Sequence, residues 1–326
     1  MEPITDEPIR RGPTPARPHT ERERLVAAAE TLLVTFLWAT SWVLIKVGLN
    51  DLDLQPVSFA GLRYVLAAAI LAPLGWRAIR GVHRRGERGL DRRLLLHVGA
   101  LGLFLYALAQ GAQFAALAVL PAASVGLVLA SIPIWVGAVA WARGEEAASR
   151  WQVVGIGVLV AGVALYFGGF DPGTSGWIGL GAAVLCAAAS TIGQHLSRDL
   201  NRDAQARLGG PIGLTALSMA VGSVLLLGVG VWLEGWPRLD LAGWLIVGWL
   251  AAVNTAFAFT LYNRTLRVLT AVESSVIVNL LLVMVAAMAW TFLGEALDVR
   301  QIAGLGLATV GVLVVQIAPR WERRAA

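Results

Sequence analysis

Long apolar runs, each about twenty residues and broken by short polar knots, set the rhythm of this chain. A backbone in hydrocarbon must satisfy its own hydrogen bonds, so a run of about 20 apolar residues predicts a membrane-crossing helix. Ten are predicted, at about 27–47, 57–76, 94–117, 122–141, 152–169, 176–196, 211–233, 243–262, 271–293 and 301–318. The breaks at Leu120-Pro121 and near Thr270 are faint and are placed with the help of a repeat. The stretches Ala122–Glu145 and Ala271–Glu295 are near-copies, and both end in Gly-Glu. Behind them Gln152, Gly155 and Gly157 match Gln301, Gly304 and Gly306, and Gly162-Val163 matches Gly311-Val312. A period this long marks a duplicated unit.

The chain therefore divides into a disordered tail at 1–26, a first repeat at 27–169, a second at 176–318 and a C-terminal tail at 319–326. Five helices per copy is an odd number, so the two halves must lie upside down relative to one another. The expected fold is an all-α integral membrane protein with ten transmembrane helices in two inverted five-helix repeats. Inverted repeats are a recurrent build of secondary transporters, with substrate held near mid-membrane at the repeat interface.

Composition agrees: 57% of the residues are hydrophobic and 14% charged, against about a quarter charged in a soluble chain. The net charge of +5 does not point to nucleic acid, because the arginines sort by side. Arg77, Arg80, Arg84, Arg85, Arg88, Arg92 and Arg93 share a side with Arg143, Arg150, Arg198, Arg202, Arg207, Arg264, Arg267 and both tails, whereas residues 50–55 and 171–175 carry none. This bias places both termini in the cytoplasm. The expected location is the bacterial cell (inner) membrane. Residues 1–24 are polar and carry five prolines, unlike a secretory signal. Cys186 is the one cysteine, so there is no disulfide framework.

Three places carry a family resemblance. Helix 1 holds Phe36, Trp38, Ser41 and Lys46, and helix 2 holds Phe59, Arg63 and Tyr64 ahead of an Ala/Leu run. Helices 4 and 9 end in Gly-Glu and lead into Gln-x-x-Gly-x-Gly helices. In order, spacing and duplication the chain resembles the EamA family of the drug/metabolite transporter superfamily, across about 30–318. The resemblance implies ten helices in two inverted halves and transport of small metabolites, often efflux of amino acids or related compounds. The matching member of helix 9 usually carries a proline where helix 4 has Pro133; here that place is Leu282-Val283.

Polar side chains at mid-membrane are expensive and are functional candidates by default. Tyr106, Gln110 and Gln113, at i, i+4 and i+7, are expected on one face of helix 3. Asn254 and Asn279 lie near the middle of helices 8 and 9. Each lines a substrate cavity or serves as interhelical hydrogen-bonding glue. Trp38 and Ser41 share a face of helix 1, where the indole would stack on an apolar or aromatic substrate or simply pack. Trp42, Trp76, Trp177 and Trp236 sit nearer helix ends, as interfacial anchors do. Ser131, Trp135 and Trp290 are weaker candidates. Arg63 would attract a substrate carboxylate, snorkel outward, or pair with Asp51 or Asp53. Lys46 is expected to snorkel, and Glu145 and Glu295 to cap or pin adjacent helices.

No Asp, Glu or His falls near mid-depth, which favours weak proton coupling or facilitated diffusion, with Glu273 and His195 as fallback proton sites. The glycines of helices 5 and 10 serve close packing within the protomer, or alternatively a homodimer contact. A membrane enzyme would need a nucleophile, an acid–base cluster or metal ligands near the interface. None stands out, and no cofactor is expected. The expected partners are a small-molecule substrate and the lipid bilayer. The leading reading is a secondary transporter exporting amino acids or related amphipathic metabolites by alternating access. A multidrug exporter or a metabolite importer of the same fold is the alternative.

Overall fold

A computed structural model describes residues 20–84, 91–144, 149–168 and 173–325. Among these residues there is no strand. Ten helices are long and apolar enough to cross a membrane: α1 Glu21–Asn50, α2 Pro56–Val82, α3 Arg92–Val119, α4 Ala122–Ala142, α5 Arg150–Phe167, α6 Gly173–Asn201, α7 Pro211–Glu234, α8 Leu241–Thr265, α9 Glu273–Leu293 and α10 Val299–Ile317. The expected class, ten membrane helices in two inverted five-helix repeats, is the fold found. Helix contacts are reciprocal when the halves are exchanged. Helix α2 packs on α7 and α5 on α10, while α1 packs on α8 and α9 as α6 packs on α3 and α4.

The helix starts follow from local chemistry. The first amides of a helix lack intrahelical acceptors, so short polar side chains supply them. Thr20 and Glu23 form a capping box that starts α1 ahead of the expected 27. Ser149 with Gln152, and Thr270 with Glu273, do the same for α5 and α9. Asp91, Asp240 and Asp298 accept from Leu94, Gly243 and Gln301 at 2.7–2.8 Å. Two helices are capped from a distance. Glu234, at the end of α7, accepts from the Val57 and Ser58 amides at 3.0 and 2.7 Å. Glu295 accepts from the Ala122 amide at 2.8 Å, so this Gly-Glu pins α4 as expected. Glu145 lies outside the described residues.

Two irregularities shape the interior. Helix α4 breaks at Ala130 and Ser131, just ahead of Pro133, whereas the α9 helix runs unbroken from Ala271 to Leu293. Proline lacks the N–H that would bond to the carbonyl one turn back, so the break follows from the sequence. Helices α3 and α8 each contain a π-helical stretch, Leu103–Leu108 and Ala252–Phe257, at equivalent places of the two halves. The outer surface is apolar: Ile70, Val160, Val224, Leu245 and Ile302 are exposed, as lipid contact requires. Trp76, Trp177 and Trp236 are exposed near helix ends, but Trp42 is only 6% exposed and packs in the core. Its expected anchoring role is thus corrected.

Helices α5 and α10 approach through glycine. A methyl on Gly304 would stand 2.7 Å from the Tyr166 backbone nitrogen, and one on Gly155 2.8 Å from that of Val315. Gly162 and Gly311 sit equally close to the facing backbone, whereas Gly157 and Gly306 face open space. Small residues permit such an approach. Gly162→Leu should destabilise the fold by about 1–3 kcal/mol through overpacking, while Gly157→Ala and Gly306→Ala leave melting in detergent unchanged. Equal melting temperatures for all three variants would contradict the observed crossing.

Candidate functional site

A cavity of about 550 Å³ lies between the two halves. Trp38, Ser41 and Trp42 of α1, Arg63 and Tyr64 of α2, and Gln110 and Gln113 of α3 form one side of it. Ser190 and Gln194 of α6, Asn254, Phe259 and Tyr262 of α8, and Asn279 of α9 form the other. The lining extends to Leu266, Ser275 and Gln316, close to the end of the bundle where α1 starts and α10 finishes. In the opposite direction it stops at Trp42, Arg63 and Gly126. The cavity thus faces the terminal end and is closed toward the far end.

A four-helix knot lies beyond that closure. Lys46 was expected to snorkel, but it is only 7% exposed. Its Nζ donates to the Leu117 and Leu120 carbonyls at 3.2 and 3.1 Å. These are acceptors that the end of α3 leaves free, and the negative end of a helix dipole favours a cation. Glu295 stands 3.7 Å from the same ammonium while it caps α4. One lysine and one glutamate therefore join α1, α3, α4 and the segment after α9. On the far side lies a separate recess of about 500 Å³, lined by Lys46, Asn50, Asp51, Pro121, Phe292 and Glu295.

Of the candidate residues, Trp38, Ser41, Arg63, Gln110, Gln113, Asn254 and Asn279 meet at the central cavity. The Trp38 ring stands 5.6 Å from Phe259 and 5.3 Å from Tyr262, which makes an aromatic wall. Its indole Nε1 is buried without a hydrogen-bond partner. The Ser41 hydroxyl donates to the Trp38 carbonyl at 2.8 Å. Gln110 accepts from the Tyr64 hydroxyl at 2.6 Å through Oε1, which leaves its amide N–H groups for the cavity. Asn254 is fully buried. Its amide nitrogen donates to the Leu37 carbonyl and, at 3.0 Å, to Thr40, while Oδ1 has no partner. The Asn279 amide donates to Gln316. Asn254 and Asn279 thus join helices and border the cavity at once.

Arg63 neither snorkels outward nor pairs with Asp51 or Asp53, and it turns inward, 4% exposed. Its Nε donates to Thr255 at 3.0 Å, and its guanidinium lies 5.2 and 5.9 Å from the Tyr64 and Phe114 rings. The π-helical stretch of α8 helps to place Thr255, whose hydroxyl bonds five residues back to Leu250.

Tyr106 and Ser131 fall outside the cavity lining. Tyr106 lies in the π-helical stretch of α3, which widens the turn and rotates it off the Gln110 face toward Thr215 and Ser218 of α7. Ser131 bonds to the Val128 carbonyl at the α4 break and accepts from Trp135. Trp290 is exposed. Glu273 is held by Thr270 and Arg24, and His195 by the Val136 carbonyl at 3.2 Å. Among the described residues no group of three His, Cys, Asp or Glu could hold a metal ion. Sequence reasoning missed Trp42, Phe259, Tyr262, Ser190 and Gln194. A signal existed: Phe259 and Tyr262 stand where the duplication puts the counterparts of Gln110 and Gln113, and Ser190 is the counterpart of Ser41.

Comparison with known proteins agrees with this architecture. The model of the EamA-like transporter family matches twice, at residues 26–168 and 175–317. An uncharacterized transporter of Bacillus subtilis, YvbV, is 24% identical over 324 residues, which cover 93% of this chain and 97% of the relative. A solved crystal structure superposes with a TM-score of 0.61 at 18% identity, over 90% of this chain and 97% of the other.

The closed far end has a direct readout. Gln194 is exposed within the cavity, so Gln194→Cys in a Cys186→Ser background should react with a membrane-impermeant thiol reagent from the terminal side. If the far-open form is a minor state of at most about 10%, far-side labelling runs at no more than about a tenth of that rate. Equal labelling from both sides of oriented vesicles would contradict the closure.

Proposed function

Because this chain belongs to the EamA-like transporter family, we propose that it is a secondary transporter that exports small amphipathic metabolites, amino acids or related compounds, across the cytoplasmic membrane. The carrying observation is the cavity between the halves, built from both of them, facing one end and stopping at Trp42, Arg63 and Gly126 short of the Lys46–Glu295 knot at the other. Alternating access then has definite parts. One half rocks on the other, the knot parts on the far side, and the terminal side closes over the cavity. In this scheme the terminal side is the cytoplasm, as the arginine distribution favours, and the observed form awaits substrate from inside. Trp38, Ser41, Arg63, Gln110, Asn254 and Asn279 form the binding site, and Tyr106 and Ser131 support it from behind.

The lining chemistry separates this reading from export of cationic drugs. Among the cavity residues there is one cation, Arg63, and no carboxylate, so a positively charged solute would meet like charge. Weak proton coupling fits as well, because Glu273 and His195 are committed to helix-end and carbonyl contacts outside the cavity.

The test is uptake into liposomes holding the purified protein, with a panel of labelled amino acids. Accumulation above empty liposomes is expected, and Gln110→Ala and Asn254→Ala should each lower it roughly tenfold, the effect of losing about 1.4 kcal/mol of binding. Transport unchanged in both variants would remove these residues from the site, and no movement of any solute would remove the function. An imposed pH gradient should change uptake by less than about twofold, since no titratable carboxylate or imidazole lines the cavity. A large response abolished by Glu273→Gln would refute that expectation.

A further inference from the structure

Among the described residues two cations, Lys46 and Arg63, lie buried in the bundle, and they are treated differently. Lys46 has two carbonyls and a carboxylate around it. Arg63 has one neutral hydroxyl on Nε and two aromatic rings, and no carboxylate among the described residues stands within ion-pair distance. Its two Nη groups make no hydrogen bond to any described residue, yet the side chain borders the central cavity. Buried charges are ordinarily paired, because removing a charge from water without a counter-charge is unfavourable. A guanidinium held by a fixed partner on one edge, with its planar fork free, is shaped for a two-oxygen anion.

The rest of the lining narrows the class. There is no second cation, so a ligand with close to two negative charges would stay half uncompensated. The Trp38 indole N–H and the Asn254 carbonyl oxygen are buried without partners beside the same cavity, one a donor and one an acceptor. Trp38, Phe259 and Tyr262 supply a ring surface for an apolar body.

We infer that Arg63 is the specificity-determining residue of this cavity, and that it selects solutes bearing a single carboxylate on an apolar or aromatic body. The inference rests on the transporter reading above and deepens it. The carboxylate is the required group, and an amino or hydroxyl group is secondary. Such a group would donate to the Asn254 carbonyl oxygen, while the Trp38 N–H would donate to an oxygen of the ligand. The solute then supplies the counter-charge that the fold omits.

A ring-matched set tests this on purified full-length protein in nanodiscs: phenylalanine, 3-phenylpropionate, phenylalaninamide, phenethylamine and phenyl phosphate. Ligand-induced melting shifts and competition for liposome transport are read for each. Phenylalanine and 3-phenylpropionate should bind at least about tenfold more tightly than the amide and the amine, and more tightly than the phosphate. Arg63→Gln should erase that preference, and Arg63→Lys should keep part of it, because charge is retained and the fork is lost. The wild-type ranking needs no variant, so a misfolded Arg63→Gln leaves the test intact. Equal binding of the acid, amide and amine, stronger binding of the phosphate, or a carboxylate preference that survives in Arg63→Gln each overturns the inference. In all three cases transport of any solute would leave the transporter reading standing. A chain that moves nothing refutes both.

Discussion

Hydrocarbon offers no hydrogen bonds, so each polar group of this chain must find a partner inside the bundle or face the cavity. The Lys46–Glu295 knot shows what that constraint builds. The end of α3 leaves carbonyls open, the start of α4 leaves an amide open, and the chain turns sharply between them at Pro121. Lys46 meets the carbonyls, Glu295 meets the amide, and the two side chains face one another. Each is the other's counter-charge, so removing one partner strands a buried charge. Satisfying two helix ends therefore fixes where α1 and the segment after α9 sit. The same contact lies beyond the end of the cavity at Trp42, Arg63 and Gly126 and borders the separate recess on the far side.

The constraint also explains the irregular stretches. A π-helical turn widens the backbone ladder and changes which residues share a face. In α8 it goes with a hydroxyl that is bonded back to Leu250 and still accepts from Arg63. In α3 it directs Tyr106 to α7 and leaves Gln110 on the cavity, where Tyr64 orients it. Helices α5 and α10 show no such irregularity. Their glycines clamp backbone on backbone at the side of the bundle, and none of their glycines lines the cavity.

Much of this was legible beforehand. Ten apolar runs and a repeat with an odd helix number point to the fold class, and Pro133 against Leu282-Val283 marks the place where the two copies differ, one helix broken and the other straight. The Gly-Glu ending of α9 does pin a neighbour. What escaped has physical reasons. Periodicity assumes a uniform helix, so the π-helical stretch at Leu103–Leu108, which contains Tyr106, is invisible to it. The fate of Lys46 depends on Glu295 and on carbonyls far along the chain, none of which local depth reveals. Trp42 was judged by its distance from a helix end, yet the close packing of α1 on α9 draws it into the core. For Arg63, the nearby aspartates suggested pairing, and only the fold shows that it turns away from them.

The duplication carries one further consequence. Equivalent positions of α3 and α8 hold Gln110 and Gln113 in one half, and Phe259 and Tyr262 in the other. Serine stands at both equivalent positions of α1 and α6, Ser41 and Ser190. Backbone symmetry is what two interchangeable bundle arrangements require, since each half must be able to take the other's pose. Side-chain symmetry is not required, and here it is broken where the cavity needs contrast. Arg63, Gln110 and Gln113 sit on the α2–α3 side together with the Tyr64 ring, and Phe259 and Tyr262 sit on the α8 side together with the Asn254 amide. A solute with a polar head and an apolar body has one sensible orientation in such a space. In the proposed alternating-access scheme the repeat supplies the two exchangeable arrangements, and the departures from the repeat supply the contrast within the cavity.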